Sequence, residues 1–140
     1  MAASIDTNPS PAPATKGGVV PYLQVDGAMK AADFYKRAFG AELVTAHPVD
    51  DQGRTMHVHL TVNGNSVMLS DAYPEHGFPH RASQGFNLLL PVDDIDAWWQ
   101  RAVDAGAEPV MPVAEMFWGD RYGQLRDPFG VTWAMNQPKR

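Results

Sequence analysis

The sequence contains no cysteine, which excludes disulfide bonds, thiolate metal sites and a cysteine nucleophile. It also lacks an apolar run long enough to cross a membrane, a basic run, and the basic and then apolar order of a signal peptide. The formal net charge is -5, so we expect neither a membrane nor a nucleic acid as a partner. The absence of cysteine fits a reducing compartment, and we expect a cytoplasmic protein.

The composition is that of a globular protein with a core of its own. Of 140 residues, 44% are hydrophobic and 19% are charged, which fits one domain. Residues 1–18 are polar, rich in Ala and Pro, and without hydrophobic periodicity. We therefore predict a flexible N-terminal tail over residues 1–18 and a single domain over residues 19–140.

Hydrophobic periodicity predicts one helix and four strands in the first half of this domain. The predicted helix covers residues 28–39, is capped by Asp26 and Gly27, and ends at Gly40. The predicted strands cover residues 19–25, 42–49, 54–62 and 65–72. Asn63-Gly64 between the last two strands is a strong hairpin signal, so these strands should pair directly.

The same order recurs after a polar connection over residues 73–84. A strand is predicted over 86–92, followed by an Asp93-Asp94 cap and a helix that begins near Ile95 and ends at Gly106. A strand over 107–113 contains Pro109 and Pro112, which predicts an edge position. A hairpin of strands 121–126 and 131–136 completes this half.

The two halves form an internal repeat. Val25-Asp26 matches Val92-Asp93, Phe34-Tyr35-x-Arg37-Ala38 matches Trp98-Trp99-x-Arg101-Ala102, and Gly40-Ala41-Glu42 matches Gly106-Ala107-Glu108. We predict an α+β fold of two tandem βαβββ modules, over residues 19–73 and 85–137. They should form a curved, mostly antiparallel eight-stranded sheet around a cleft, with the helices on the outer face.

The loop over residues 115–123 concentrates large side chains near Asp127-Pro128-x-Gly130. Such a loop either shapes a cleft or closes the end of a sheet with aromatic packing. Trp118 and Tyr122 would stack on a planar ligand in the first case and seal the core in the second. Arg121, beside Asp120, would bind an anionic group or form a salt bridge between chain elements.

Several of these residues resemble the vicinal-oxygen-chelate superfamily, which includes glyoxalase I, ring-cleaving dioxygenases and bleomycin-resistance proteins. The resemblance covers residues 19–137 and rests on the βαβββ order, on Asp33-Phe34-Tyr35 ahead of Phe39-Gly40-Ala41, and on Asp127-Pro128-x-Gly130. Further motifs resemble its glyoxalase-like, PhnB-type branch: Pro21-Tyr22-Leu23, Val67-Met68-Leu69-Ser70-Asp71 and Phe117-Trp118-Gly119-Asp120-Arg121-Tyr122-Gly123. The resemblance also implies a homodimer, because family clefts are often completed by paired halves.

The resemblance implies metal ligands on the first, fourth, fifth and eighth strands, but this sequence departs from that pattern. The corresponding positions are Val20, Met68, Phe86 and Ala134, and none of these side chains is a ligand for a hard divalent cation. We therefore expect no metal at that site and no other cofactor.

The hairpin register places two histidines beside these positions. With Asn63-Gly64 as the loop, His59 lies opposite Met68 and His57 lies opposite Ser70, so all four would face the cleft. Either histidine would be a base near neutral pH, both would hold a shifted metal, or both are simply polar residues on a wet face.

The predicted cleft is apolar and aromatic, with a few polar groups, as in many small-molecule sites. Its predicted ligand-contacting residues are Tyr22, Met68, Ser70, Phe86, Leu88, Trp118, Arg121 and Tyr122. The leading hypothesis is a metal-independent protein of the glyoxalase/bleomycin-resistance type that binds an apolar or aromatic small molecule. The alternatives are a lyase or isomerase that uses His57 or His59 as a base, and an interaction module without catalysis.

Overall fold

Each half of the sequence folds into one helix and four strands. The computed structural model describes residues 13–82 and 84–139. The first module contains β1 (Tyr22–Val25), α1 (Ala28–Phe39), β2 (Glu42–Ala46), β3 (Val58–Val62) and β4 (Asn65–Asp71). The second contains β5 (Leu88–Pro91), α2 (Ile95–Ala105), β6 (Glu108–Glu115), β7 (Arg121–Arg126) and β8 (Thr132–Gln137). The predicted α+β architecture of two tandem βαβββ modules is confirmed.

In the described residues, the eight strands form two four-stranded sheets rather than the single eight-stranded sheet that was predicted. Their strand orders are β1-β4-β3-β2 and β5-β8-β7-β6, and in each sheet the first strand of the module pairs in parallel with the last. The remaining pairs are antiparallel. Pro109 and Pro112 lie on β6, which is an edge strand as predicted.

Several predicted strand ends differ from the structure, and the start of β3 differs most. The strand expected from residue 54 begins at Val58, because the preceding residues are held by a turn around Asp50. The Asp50 carboxylate accepts hydrogen bonds from the backbone N–H groups of Gln52 and Arg54. Thr55 remains tied to β4, because its N–H donates to Asp71 Oδ2 and its carbonyl accepts from Asp71 N–H.

At the start of each helix, backbone N–H groups donate hydrogen bonds to a side chain at the end of a strand. Asp71, at the end of β4, accepts hydrogen bonds from the N–H groups of Gly27 and Ala28, so Asp26 is not the cap of α1. In α2, the predicted cap is confirmed, because Asp94 accepts from Ala97 N–H. Gln137, at the end of β8, accepts from Ile95 N–H, in a position equivalent to that of Asp71.

The two modules share one core. The helices pack against each other, and Tyr35 and Phe39 of α1 also contact Trp133 of β8, with ring centroids 5.3 and 4.7 Å apart. Tyr35 donates a hydrogen bond to the buried carboxylate of Asp127, which also accepts from Trp133 Nε1. Burial, followed by the neighbouring Asp127, raises the pKa of Tyr35.

The predicted N-terminal tail lies largely outside the described residues. Of its described part, Lys16 N–H donates to Ser66 Oγ and its carbonyl accepts from Ser66 N–H, both at 2.8 Å. In the described ranges, neither helix has the length and apolar character needed to span a membrane.

Candidate functional site

One face of the first sheet is left uncovered by α1. Leu23, Val25 and Leu69 turn toward the core. Of the alternate residues on the same strands, Ser66 is buried, whereas Tyr22, Gln24, Met68 and Ser70 are at least partly exposed. We define the first open face by these exposed side chains and by His57, which directly precedes β3: Tyr22, Gln24, His57, Met68 and Ser70. The register brings Tyr22 opposite Met68 and Gln24 opposite Ser70.

Tyr22 and His57 form a hydrogen-bonded pair on this face. Tyr22 Oη lies 2.9 Å from His57 Nδ1 and 3.4 Å from the carbonyl oxygen of Met56. The phenol ring remains 56% exposed. Desolvation raises the pKa of Tyr22, so its hydroxyl remains protonated at neutral pH and orients the imidazole.

His57 is surrounded by other imidazoles rather than by carboxylates. The ring of His47 lies 5.1 Å from the ring of His57, and the backbone N–H of His47 donates to the His57 carbonyl. Desolvation, then His47 and His59, lowers the pKa of His57. His57 is therefore mostly neutral at pH 7 and is free to accept a proton.

His59 occupies the predicted register but not the predicted environment. It lies opposite Met68, yet it is only 1% exposed and its Nε2 lies 2.8 Å from Ser66 Oγ. Ser66 is itself bonded to Lys16, which belongs to the stretch expected to be a free tail. Because His59 is buried and already hydrogen-bonded, it does not fit the predicted role of base.

The second sheet has an equivalent uncovered face. Leu89 and Gln124 both lie opposite Ala134, and Tyr122 lies two residues before Gln124 on β7. Trp118 is 49% exposed and contacts the Tyr122 ring, with centroids 6.3 Å apart. Gln124 Nε2 donates to Tyr122 Oη at 3.0 Å. We define the second open face by Leu89, Trp118, Tyr122 and Gln124, which provide aromatic and aliphatic surface with one amide. Ala134 lies between Leu89 and Gln124 but is buried.

For Arg121, the structure shows the alternative to the anion-binding role, a salt bridge within the chain. Arg121 turns toward α2, where its guanidinium forms two hydrogen bonds of 2.8 and 2.9 Å with the carboxylate of Asp96. That hydrogen bonding lowers the pKa of Asp96. Arg121 therefore forms the salt bridge between chain elements that was the alternative interpretation.

Leu88 also differs from its prediction. It lies opposite Trp133 and packs against the shared core, so Leu89 rather than Leu88 belongs to the second open face. Phe86 precedes β5 and is exposed. Leu88 instead lines a cavity of about 500 Å³ between the modules, together with Val62, Val67 and Leu90.

The residues at the family's metal-binding positions do not fit a hard divalent cation. Met68 lies on the first open face, and the buried Ala134 lies between Leu89 and Gln124 in the second sheet. These side chains are a thioether and a methyl group where imidazole or carboxylate would be needed. Across residues 13–82 and 84–139, no three side chains of His, Asp or Glu are grouped so as to hold a metal.

Among the residues on or beside the open faces, His47, Leu89 and Gln124 were not predicted. The repeat contained the signal for Leu89, because Val25 matches Val92 and therefore Tyr22 matches Leu89. Alternation along the predicted strand 121–126 would have grouped Gln124 with Tyr122. The approach of His47 to His57 depends on the β2–β3 connection, for which the sequence carries no register signal.

Comparison with known proteins identifies the family. Residues 18–135 match the model of the Glyoxalase/Bleomycin resistance protein/Dioxygenase superfamily. The protein Mb0911c of Mycobacterium bovis is 40% identical over 126 residues, which cover 86% of this chain and 82% of that protein. YjdN of Escherichia coli is 25% identical and covers 86% of this chain and 95% of its own.

Solved structures share the fold over nearly their whole length. TioX from Micromonospora sp. ML1 is 27% identical with a TM-score of 0.69, covering 86% of this chain and 98% of TioX. TnmS3 from Streptomyces sp. CB03234, described as an antibiotic binding protein, is 27% identical with a TM-score of 0.65, covering 86% and 93% of the two chains. The chain therefore belongs to the glyoxalase/bleomycin resistance protein/dioxygenase superfamily.

Proposed function

We propose that this protein binds an apolar or aromatic small molecule on its open sheet faces without a metal. The observation that carries the proposal is that Tyr22 and Trp118 remain about half exposed beside ordered polar groups. Aromatic surface with a few oriented hydrogen-bonding groups is the usual composition of a small-molecule site. The description of TnmS3 as an antibiotic binding protein supports a ligand of this kind.

We infer a homodimer in which the open faces of two chains enclose the ligand. Within one chain, each open face is exposed to solvent. The aromatic ring of Tyr22 and the aliphatic side chain of Leu89 are both more than half exposed. Exposed apolar surface next to polar residues is typical of an interaction or ligand site. Among branches of the superfamily, the motifs around Met68 and Trp118 favour the PhnB type.

A thermal-shift screen of aromatic compounds in buffer with EDTA tests the binding proposal. A ligand at 100 times its Kd should stabilise the protein by about 2.7 kcal/mol, a Tm increase of about 5 °C or more. Trp118→Ala should abolish the shift, and Phe78→Ala, an exposed aromatic outside both faces, should retain it. Stabilisation that requires an added divalent metal would contradict the proposal.

A second candidate function is that of a lyase or isomerase with His57 as the base. The Tyr22 hydroxyl orients His57, and the lowered pKa keeps the imidazole neutral at physiological pH. Turnover of a substrate should then rise with pH through the pKa of His57 and be lost in His57→Ala. Turnover that survives this substitution would exclude His57 as the base.

A further inference from the structure

Among the described residues, imidazoles rather than carboxylates are the ionisable neighbours of His57. The groups that face His57 from the neighbouring elements are Tyr22 on β1, His47 after β2 and His59 on β3. The phenol of Tyr22 stays neutral, because its pKa is raised by desolvation, and an imidazole is not an anion at physiological pH. These neighbours therefore do not repel a negatively charged group that approaches this face.

The hydroxyl of Tyr22 has two acceptors within reach. When His57 is neutral with a bare Nδ1, Tyr22 donates to Nδ1 at 2.9 Å, and Nε2 carries the hydrogen. When His57 is protonated, Nδ1–H donates to Tyr22 Oη, and the hydroxyl hydrogen turns to the Met56 carbonyl at 3.4 Å. The pair thus remains hydrogen-bonded in both protonation states.

His57 Nε2 has no partner among the hydrogen bonds of the described residues. Whenever Nδ1 accepts from Tyr22, and also when the ring is protonated, this nitrogen is a donor, and in the protonated state it belongs to a cation. A donor that becomes charged forms shorter and stronger hydrogen bonds to an ionised oxygen. The geometry therefore favours an oxyanion at Nε2 over a neutral oxygen.

We propose that the first open face binds the oxyanion of a small aromatic acid, a carboxylate or a phenolate, with uptake of a proton by His57. This inference rests on the proposed function and names the class of ligand for the same site. Tyr22 provides ring surface for the aromatic part, and Ser70 and Gln24 lie beside it on the same face.

Proton binding by His57 and anion binding at Nε2 must strengthen each other. The pKa of His57 in the free protein lies below its ordinary value, and an anion at Nε2 stabilises the charged imidazole and raises that pKa. Affinity for the anion must then increase as the pH falls through this range, while a neutral ligand of the same shape gains nothing.

Calorimetric titration of the full chain with 1-naphthoate and 1-naphthamide tests the inference. These probes share one ring system, and only the first is charged. The Kd of 1-naphthoate should fall about tenfold between about pH 8 and about pH 5.5, the effect of one unit of pKa coupling. Titrations in buffers of different ionisation enthalpy should show proton uptake. The affinity of 1-naphthamide should not change with pH.

Three variants locate the effect. His57→Gln keeps hydrogen-bonding groups but does not titrate, and should remove the pH dependence. Tyr22→Phe keeps the ring but not the hydroxyl, and should reduce the pH dependence of binding. His80→Gln, an exposed histidine outside both open faces, should behave like the wild type. The imidazole NMR signal of His57 should titrate at higher pH with 1-naphthoate and be unaffected by 1-naphthamide.

The outcomes separate this inference from the proposed function. Binding of 1-naphthoate that is independent of pH, equally pH-dependent in His57→Gln, or undetectable at millimolar concentration near pH 6 would overturn the oxyanion site. If 1-naphthamide or another neutral aromatic compound still binds and is lost in Trp118→Ala, the proposed function stands without it.

Discussion

At the scale of single residues, two buried carboxylates hold separate parts of the chain together. Asp71 accepts hydrogen bonds from three backbone N–H groups, those of Gly27, Ala28 and Thr55. Asp127 accepts from Tyr35, Trp133 and two N–H groups of its own turn. Both carboxylates are nearly inaccessible to water, so removing either one leaves buried donors without partners.

Asp71→Ala should lower the free energy of unfolding by about 3 kcal/mol, because three backbone donors lose their acceptor and α1 loses its N-terminal partner. Asp71→Asn should lower it less, since the amide oxygen still accepts. Urea denaturation measures both changes. Asp94→Ala removes a single exposed cap contact on α2 and should cost only about 1 kcal/mol. Equal losses in all three variants would contradict this interpretation of Asp71.

Tyr35→Phe removes the hydroxyl that joins the first module to Asp127. The phenylalanine ring keeps the contacts with Phe39 and Trp133, so the loss should be limited to about 1–2 kcal/mol. Asp127→Ala should cost more, about 3–5 kcal/mol, because the phenol, the Trp133 indole and two backbone donors all lose an acceptor. Chemical denaturation followed by tryptophan fluorescence distinguishes the two, and a larger loss in Tyr35→Phe would argue against this assignment.

At the scale of secondary structure, most of the fold could be predicted from sequence periodicity. The two-residue Asn63-Gly64 loop fixed the register of β3 and β4, so His59 opposite Met68 was predicted correctly. The sequence could not show that Lys16 would bond to Ser66, the partner of His59, because that contact joins segments far apart in the chain. The sequence also did not show that Arg121 would form a salt bridge with Asp96 on α2, since charged side chains carry no periodic signal.

The start of the connection between the modules is anchored by Arg54. Its guanidinium donates to both oxygens of Glu75 and lies 4.5 Å from the centre of the Tyr73 ring. Hydrogen bonding from Arg54 lowers the pKa of Glu75 from 4.5 to about 2. A depressed carboxyl pKa means that the contact is complete above pH 4.5 and is lost as the pH falls through about 2.

Glu75→Gln should therefore loosen the segment from Tyr73 to Phe78 without unfolding the modules. Hydrogen exchange of Tyr73 N–H, which donates to the Phe78 carbonyl, should become several-fold faster, while Met68 N–H in β4 should be unaffected. Carboxyl NMR of the wild-type protein should show Glu75 still ionised at pH values where exposed glutamates are protonated. Titration of Glu75 at 4.5, its ordinary value, would contradict the anchor.

Packing between β7 and α2 depends on a glycine. A Cβ at Gly123 would lie 2.8 Å from the ring of Trp99, 3.0 Å from Val113 Cγ2 and 3.1 Å from the Met111 carbonyl. Gly123→Ala should therefore destabilise the protein by about 1–3 kcal/mol through overpacking. Gly18→Ala, where nothing lies within 4 Å, is the matched control. A Tm that falls equally in both variants would exclude a steric cause.

At the scale of the whole molecule, the arrangement of the modules decides what encloses a ligand. Their cores are joined through α1, α2 and Trp133, while Tyr22 on the first sheet and Leu89 on the second remain exposed. A homodimer that brings the first open face of one chain against the second open face of its partner would cover both. Such a dimer contains two equivalent sites, each built from two chains.

Mixing two defective chains tests this assembly directly. Tyr22→Ala damages the first open face and Tyr122→Ala damages the second, so each homodimer has two damaged sites. In a heterodimer of the two, one site collects both substitutions and the other collects none. After subunit exchange of equal amounts, about one quarter of all sites should bind 1-naphthamide with wild-type affinity. If each site lay within a single chain, every site in the mixture would keep one defect, and binding no better than in either variant alone would exclude a site shared between chains.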